Sequence, residues 1–281
     1  MHKETFYTKK NIEETKIALI SDIHFYENYN IKIFNKIINQ IKKEKPNYIT
    51  IVGDILDSSS TTNLTKLEKF LVELSSLATT LVVLGNHDEK AGHMHNWSYN
   101  KNEALLKLLN SIDNLHFLND TSFNKNNINF YGFNFSYKYY EEDCETYESF
   151  CEEIKKLKHE LPEESYNITL FHSPINIYKF IKNNQDHSLN KTNLILSGHM
   201  HNGCLPFFVS HFINKVFKTS RGILSPTRKF FPKYAQGKIH ERDGYVFEGI
   251  TKLSNSTKFL HKFDIFFQKN VEFITIKKID K

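Results

Sequence analysis

The sequence predicts an α/β domain. Two observations carry this expectation: short apolar runs alternate with stretches whose apolar residues recur at helical spacing, and five of the apolar runs end in a small polar cluster. Such alternation implies a sheet of parallel character with right-handed crossovers. With 281 residues, 40% of them hydrophobic, the chain can bury one large core, and it reads as a single domain over residues 1–281.

The run KIALIS at 16–21 is a buried strand, and Ile31, Phe34, Ile38 and Ile41 then mark a helix that Pro46 ends. YITIVG at 48–53 is a second strand, and Leu64, Leu67, Leu71, Leu74 and Ala78 mark a second helix. TLVVLG at 80–85 is a third strand and NEALLKLLN at 102–110 a short helix. After a polar middle come a strand at 128–135, strands at 166–171 and 193–198 around a helix near 174–182, and a helix over 146–161 with an acidic start and a basic end. The tail is β-like at 244–250, 262–267 and 271–276.

Composition narrows the function classes. A net charge of +5 suits an anionic substrate and is too weak to argue for nucleic acid. Cys144, Cys151 and Cys204 suggest no disulfide framework, so a reducing, cytoplasmic setting is expected. The first sixteen residues are polar and lack the apolar core of a signal peptide, and no apolar run reaches the roughly 18 residues of a membrane span.

The chemistry sits at the strand ends. SDIH offers Asp22 and His24; GDILD offers Asp54 and Asp57; GNHD offers Asn86, His87 and Asp88; HSP offers His172; GHMH offers His199 and His201. Ligands of open α/β sheets gather at the carboxyl ends of strands, so these clusters are expected on one edge. Asp22, His24, Asp54, Asn86, His172, His199 and His201 hold more donors than one four-coordinate ion takes. They suit two ions sharing a carboxylate, and mixed N and O donors favour Mn, Fe, Zn or Co, manganese first, over Ca or Mg. Asp88 reads as support for its own loop.

Gly-His-Met-His-Asn occurs twice, at 92–96 and 198–202. The second copy ends an apolar strand. The first follows no strand, so His93 and His95 are expected on a loop at the rim, touching substrate at most.

The order Asp-x-His, Gly-Asp-x-x-Asp, Gly-Asn-His-Asp, His, Gly-His-x-His, spanning residues 22 to 201, resembles the calcineurin-like metallophosphoesterase superfamily. The resemblance implies a four-layer α/β/β/α sandwich with a dinuclear site. It gives Asp22, His24 and His201 to the first metal, Asn86, His172 and His199 to the second, and Asp54 to both. It makes His87 the catalytic residue facing substrate, with Asp57 pairing with it and setting its tautomer. The reaction it implies is attack of a metal-bridging hydroxide on phosphorus, with a protonated His87 donating to the leaving group.

The segment at 204–240 is aromatic and basic. Its Pro206-Phe207 and Tyr234-Ala235-Gln236-Gly237 resemble one bacterial branch of that superfamily, membrane-associated phosphodiesterases that include pyrophosphatases acting on a diacylated UDP-sugar; Asn202 stands where the branch has Gly. The segment is expected to form a lid or ledge. Phe207, Phe208, Phe212, Phe230 and Phe231 would touch lipid, and Lys218, Arg221, Arg228 and Lys229 would meet phosphates; packing over the sheet edge is the equal alternative. The expected activity is a phosphodiesterase or pyrophosphatase on a small or lipid-linked phosphorylated substrate, with peripheral membrane contact and no obligate protein partner. A nuclease of the same fold and an inactive scaffold are the alternatives.

Overall fold

The structure, a computed structural model, describes residues 3–91, 98–99, 101–134, 147–156, 161–175, 177, 191–201, 212, 216, 237–239, 244–246 and 271–279. The first sheet contains β1 (Lys3–Thr8), β2 (Thr15–Ile20), β3 (Tyr48–Val52), β4 (Thr79–Val83), β7 (Leu115–Phe117) and β14 (Glu272–Lys278), in the order β1-β14-β2-β3-β4-β7. The second contains β8 (Thr121–Lys125), β9 (Ile128–Gly132), β10 (Tyr166–Leu170), β11 (Leu194–Ser197), β12 (Gly237–Ile239) and β13 (Gly244–Val246), in the order β12-β13-β11-β10-β9-β8. A small ribbon pairs β5 (Lys90–Ala91) with β6 (Ser98–Tyr99). Strands β2, β3, β4 and β7 run parallel, as do β9, β10, β11 and β13.

The helices are α1 (Ile31–Glu44), α2 (Thr65–Leu77), α3 (Glu103–Ser111) and α4 (Tyr147–Lys156). Helix α1 starts where the Asn30 side chain accepts the Lys32 N–H, and it ends at Lys45, whose backbone is left-handed, just before Pro46. Its buried stripe is Ile33, Phe34, Ile37, Ile38 and Ile41; each such side chain contributes roughly 1.5–3 kcal/mol relative to exposure. Ile31, expected on that stripe, is instead exposed, because the first helical residue precedes the turn that packs on the sheet. Phe34 lies parallel to Phe70 of α2, with ring centroids 3.9 Å apart. Helices α1 to α3 cover the first sheet, and α4 turns Phe150 toward Phe171 beside the second. Between the sheets lies one continuous core, in which Tyr48 of β3 meets Phe130 of β9. The layers are therefore α/β/β/α.

Several strands carried no sequence signal. The polar N-terminus forms β1, an edge strand parallel to β14 with Phe6 buried. Strand β8 shows no apolar alternation because it too is an edge, and almost all its side chains are exposed. It pairs with β9 through the two-residue turn Asn126-Asn127, both at positive φ, as a primed hairpin turn needs. The helix expected over 146–161 is described for Tyr147–Lys156, and Leu161 is not helical; it precedes Pro162, which disfavours the helical backbone. Residues 174, 175 and 177 are helical, while the rest of the expected 174–182 helix and the 262–267 strand lie outside the described residues. No helix among the described residues is long and apolar enough to cross a membrane.

Candidate metal centre

The polar clusters meet at one end of the two sheets, where ladder hydrogen bonds run past the strands into the loops. Asp22 N donates to Gly53 O and His24 N to Asp54 O, each at 3.0 Å; Gly53 N donates to Val83 O, and Gly198 N to His172 O. These bonds hold the loops in register, yet the backbone must turn sharply to bring side chains inward. Asp22, His24, Asp54, His199 and His201 all adopt positive φ, between 47° and 69°. A left-handed non-glycine residue costs roughly 1–2 kcal/mol, so five together mark a place where geometry is held against local preference.

Three groups of donors result, of which one, His24 with Asp57 and His87, shares His24 with the first of the other two. Asp22, His24, Asp54 and His201 form one, and Asp54, His172 and His199 the other. His24 Nε2 lies 3.3 Å from His201 Nε2 and 3.6 Å from Asp54 Oδ2, and His201 Nε2 lies 3.3 Å from Asp22 Oδ1. His172 Nε2 lies 3.2 Å from the same Asp54 Oδ2. Atoms each 2.0–2.2 Å from one ion and spread tetrahedrally lie about 3.3–3.6 Å apart, so these spacings fit a shared cation in each group. Asp54 belongs to both groups, through one oxygen, while its Oδ1 accepts the His87 N–H at 2.8 Å. That bond places Asn86 beside Asp54; the Asn86 Oδ1 is buried and has no hydrogen bond, an oxygen suited to a cation.

The histidine tautomers also fit. His172 Nδ1 meets Val52 O of the opposite sheet at 2.7 Å, so it carries a proton and leaves Nε2, beside Asp54, as the nitrogen that would face a cation once its own proton is displaced. Glycines clear the space: a Cβ on Gly53 would lie 2.6 Å from the His172 Cγ, and one on Gly198 would lie 2.6 Å from Asp22 Oδ2. Neither glycine, nor Ser21, whose hydroxyl donates to Val52 O, stood out in the sequence as more than the last residue of a strand; their position directly before ligand-type residues was the available signal.

Electrostatics divide the donors. Burial pushes Asp22 up to about 6, with the Asp54 charge adding to it. Asp54 is held well below the ordinary carboxylate range: burial opposes its charge, but His172, His87 and His24 outweigh burial. His172 is raised to about 9 against burial by Asp54 and Asp22. His199 is pushed down to about 3 by burial and by His172, and His201 well below its ordinary value by burial and His24. His199 and His201 are therefore neutral at pH 7, the state in which imidazole can bind a cation.

His87 lies in a short 3₁₀ turn, edge-on to His24 with ring centroids 4.7 Å apart, and burial lowers its pKa. Its Nδ1 meets the main-chain oxygen of Asp57 at 2.9 Å. The Asp57 carboxylate oxygen Oδ1 lies 3.5 Å from His24 Nδ1, and its charge also favours the charged form of His87. Asp88 is fully buried and accepts the N–H groups of Leu56 and Gly85, each at 2.8 Å, which clamps the two loops together. His93, His95, Lys218, Arg221, Arg228 and Lys229, and the aromatic residues of 204–240 other than Phe212, lie outside the described residues; Phe212 is exposed.

Residues 15–203 match the family model described as calcineurin-like phosphoesterase. Curated relatives are each described as an uncharacterized metallophosphoesterase. One from Helicobacter pylori strain J99 is 28% identical over 72% of this chain and 48% of its own length. One from Campylobacter jejuni is 24% identical over 68% of this chain and 45% of its own. One from Aquifex aeolicus is 26% identical over 79% of this chain and 77% of its own. The chain thus spans about half the length of the Helicobacter and Campylobacter relatives.

Proposed function

The chain belongs to the calcineurin-like phosphoesterase family, and on that premise we propose that it is a phosphoric ester hydrolase working with two divalent ions. Asp22, His24 and His201 would hold the first ion, Asn86, His172 and His199 the second, and Asp54 would serve both. The observation that carries this reading is the single Asp54 oxygen that faces a ring of each donor group, 3.6 Å from His24 and 3.2 Å from His172. Bound there, two such ions supply Lewis acidity toward a phosphoryl group and water acidified toward neutral pH.

The chain's own residues position and exchange protons. His172 is oriented by Val52, and Asp22 is pinned by the His199 N–H, 3.1 Å from its carboxylate oxygens. With Nδ1–H donated to the Asp57 carbonyl, His87 is left with Nε2 for a phosphoryl or leaving-group oxygen, to which it can donate only once Nε2 is protonated as well. Burial keeps that ring neutral at pH 7 in the metal-free protein, so the carbonyl fixes its tautomer rather than its charge.

Within this reading the substrate is a diester or pyrophosphate, small or lipid-linked, ahead of a monoester, and manganese is the first metal to test. The support is the Pro206-Phe207 and Tyr234–Gly237 resemblance and the aromatic, basic 204–240 segment, which is proposed to contact the membrane periphery and the substrate phosphates through Arg221, Arg228 and Lys229. Bound metal is measured first, and then hydrolysis of a bis-aryl phosphodiester against an aryl monoester with Mn²⁺, for wild type and Asp54→Asn. The expected result is two ions per wild-type chain, loss of both ions and of activity in Asp54→Asn, and faster diester cleavage. Equal inactivity of the two proteins on both esters overturns the enzyme reading; faster monoester cleavage overturns the diester preference alone.

A further inference from the structure

We propose that the Asp57 carboxylate is a positioning group for His24, and through it for the first ion, while His87 is held by the Asp57 main chain. The inference rests on the metal reading above, because it concerns how one proposed ligand ring is held.

Three observations lead to it. First, His24 directs Nε2 into the donor group, 3.3 Å from His201 Nε2, so Nδ1 must carry the proton when Nε2 meets a cation. Second, His24 Nδ1 is fully buried and has no hydrogen bond of its own, and Asp57 Oδ1 stands 3.5 Å away. That is just beyond hydrogen-bond range, and a shift of about half an ångström as the ring settles on an ion closes it. Third, the main chain of Asp57 is tied to the residue after His24: Asp57 N donates to Phe25 O at 3.0 Å, and Phe25 bridges to Leu56. The carboxylate is thereby kept in register with the His24 ring.

The two contacts of Asp57 are chemically separable. Its carbonyl on His87 Nδ1 survives any side-chain exchange, whereas the carboxylate near His24 does not. His24, Asp57 and His87 also lie close enough to suggest a third cation. That grouping reuses His24, and the His87 Nδ1 proton is already given to a carbonyl, so a supporting contact explains it with fewer demands.

The test titrates chelator-stripped full chain with Mn²⁺ by calorimetry, and with Co²⁺ followed by visible absorption, for wild type, Asp57→Ala, Asp57→Asn and His87→Ala. Removing an outer partner of a metal-bound histidine costs about 10- to 100-fold in affinity. Asp57→Ala is expected to weaken one of two ions by that factor and to change the Co²⁺ spectrum. Asp57→Asn, equal in size and still offering an oxygen to Nδ1–H, should fall between it and wild type and covers the case of an Ala variant that does not fold. His87→Ala should bind both ions as wild type does. Wild-type affinities in Asp57→Ala beside a two-ion wild type overturn this inference alone. Three ions per wild-type chain overturn it in favour of the third-cation reading. A wild type that takes up no ion overturns the function reading, and this inference with it.

Discussion

Gly53 and Gly237 have almost the same positive φ, +78° and +76°, in different surroundings. Among the described residues a Cβ at Gly237 meets nothing within 4 Å, while one at Gly53 falls on the His172 ring, 2.6 Å from Cγ and 2.8 Å from the Gly85 Cα. Gly237→Ala therefore bears only the left-handed penalty, about 1–2 kcal/mol. Gly53→Ala bears the same penalty plus overpacking of a close-packed interior, typically about 1–3 kcal/mol more. The total expected for Gly53→Ala is about 2–5 kcal/mol, and the difference between the two variants isolates the steric part. Denaturant unfolding in chelator gives both values. Because the displaced ring is His172, Gly53→Ala should also lose one bound ion while Gly237→Ala keeps two. Equal destabilisation of the two variants, or two ions retained by Gly53→Ala, would refute the packing of His172 against Gly53 and its place in the second donor group.

Other outcomes follow from the same geometry. Burial raises Asp22 from an ordinary 3.8 to about 6, so the metal-free fold binds a proton there that the unfolded chain has released, and stability falls as pH rises from about 4 to 6. In chelator, Asp22→Asn should thus gain up to about 3 kcal/mol over wild type at pH 8 and nothing at pH 3, and lose that gain when Mn²⁺ is added; a gain independent of pH would contradict the cause assigned here. His93→Ala with His95→Ala should leave metal content at the wild-type value by elemental analysis, since both donor groups are complete without them; loss of an ion would restore the first Gly-His-Met-His-Asn copy as a metal motif. Co-sedimentation with vesicles should favour anionic over neutral lipid if 204–240 is a membrane ledge; equal partitioning, or none, counts against that role.

Much of the site was legible because its signals are local. Asp22, His24, Asp54, Asn86, His172, His199 and His201 each stand just past a run of apolar residues, and such runs declare buried strands whatever their partners. The edge strands β1 and β8 were not legible: an edge has one partner and an exposed flank, so its side chains carry no period. Asp57 shows a finer limit. The family resemblance paired it with His87, but which of its oxygens meets which ring depends on how the loop after β3 lies on Phe25.

The chain's own order of apolar runs and polar ends determined that this is an α/β protein with its chemistry gathered at one edge, because hydrophobic period and turn chemistry act over a few residues. Only the tertiary structure decided the rest: that Asp54 Oδ2 faces both donor groups, that His172 is oriented by a carbonyl of the opposite sheet, and that five residues of those groups accept left-handed backbone. Those features arise where two sheets meet, between residues up to 177 positions apart, and packing at such range leaves no mark on local sequence.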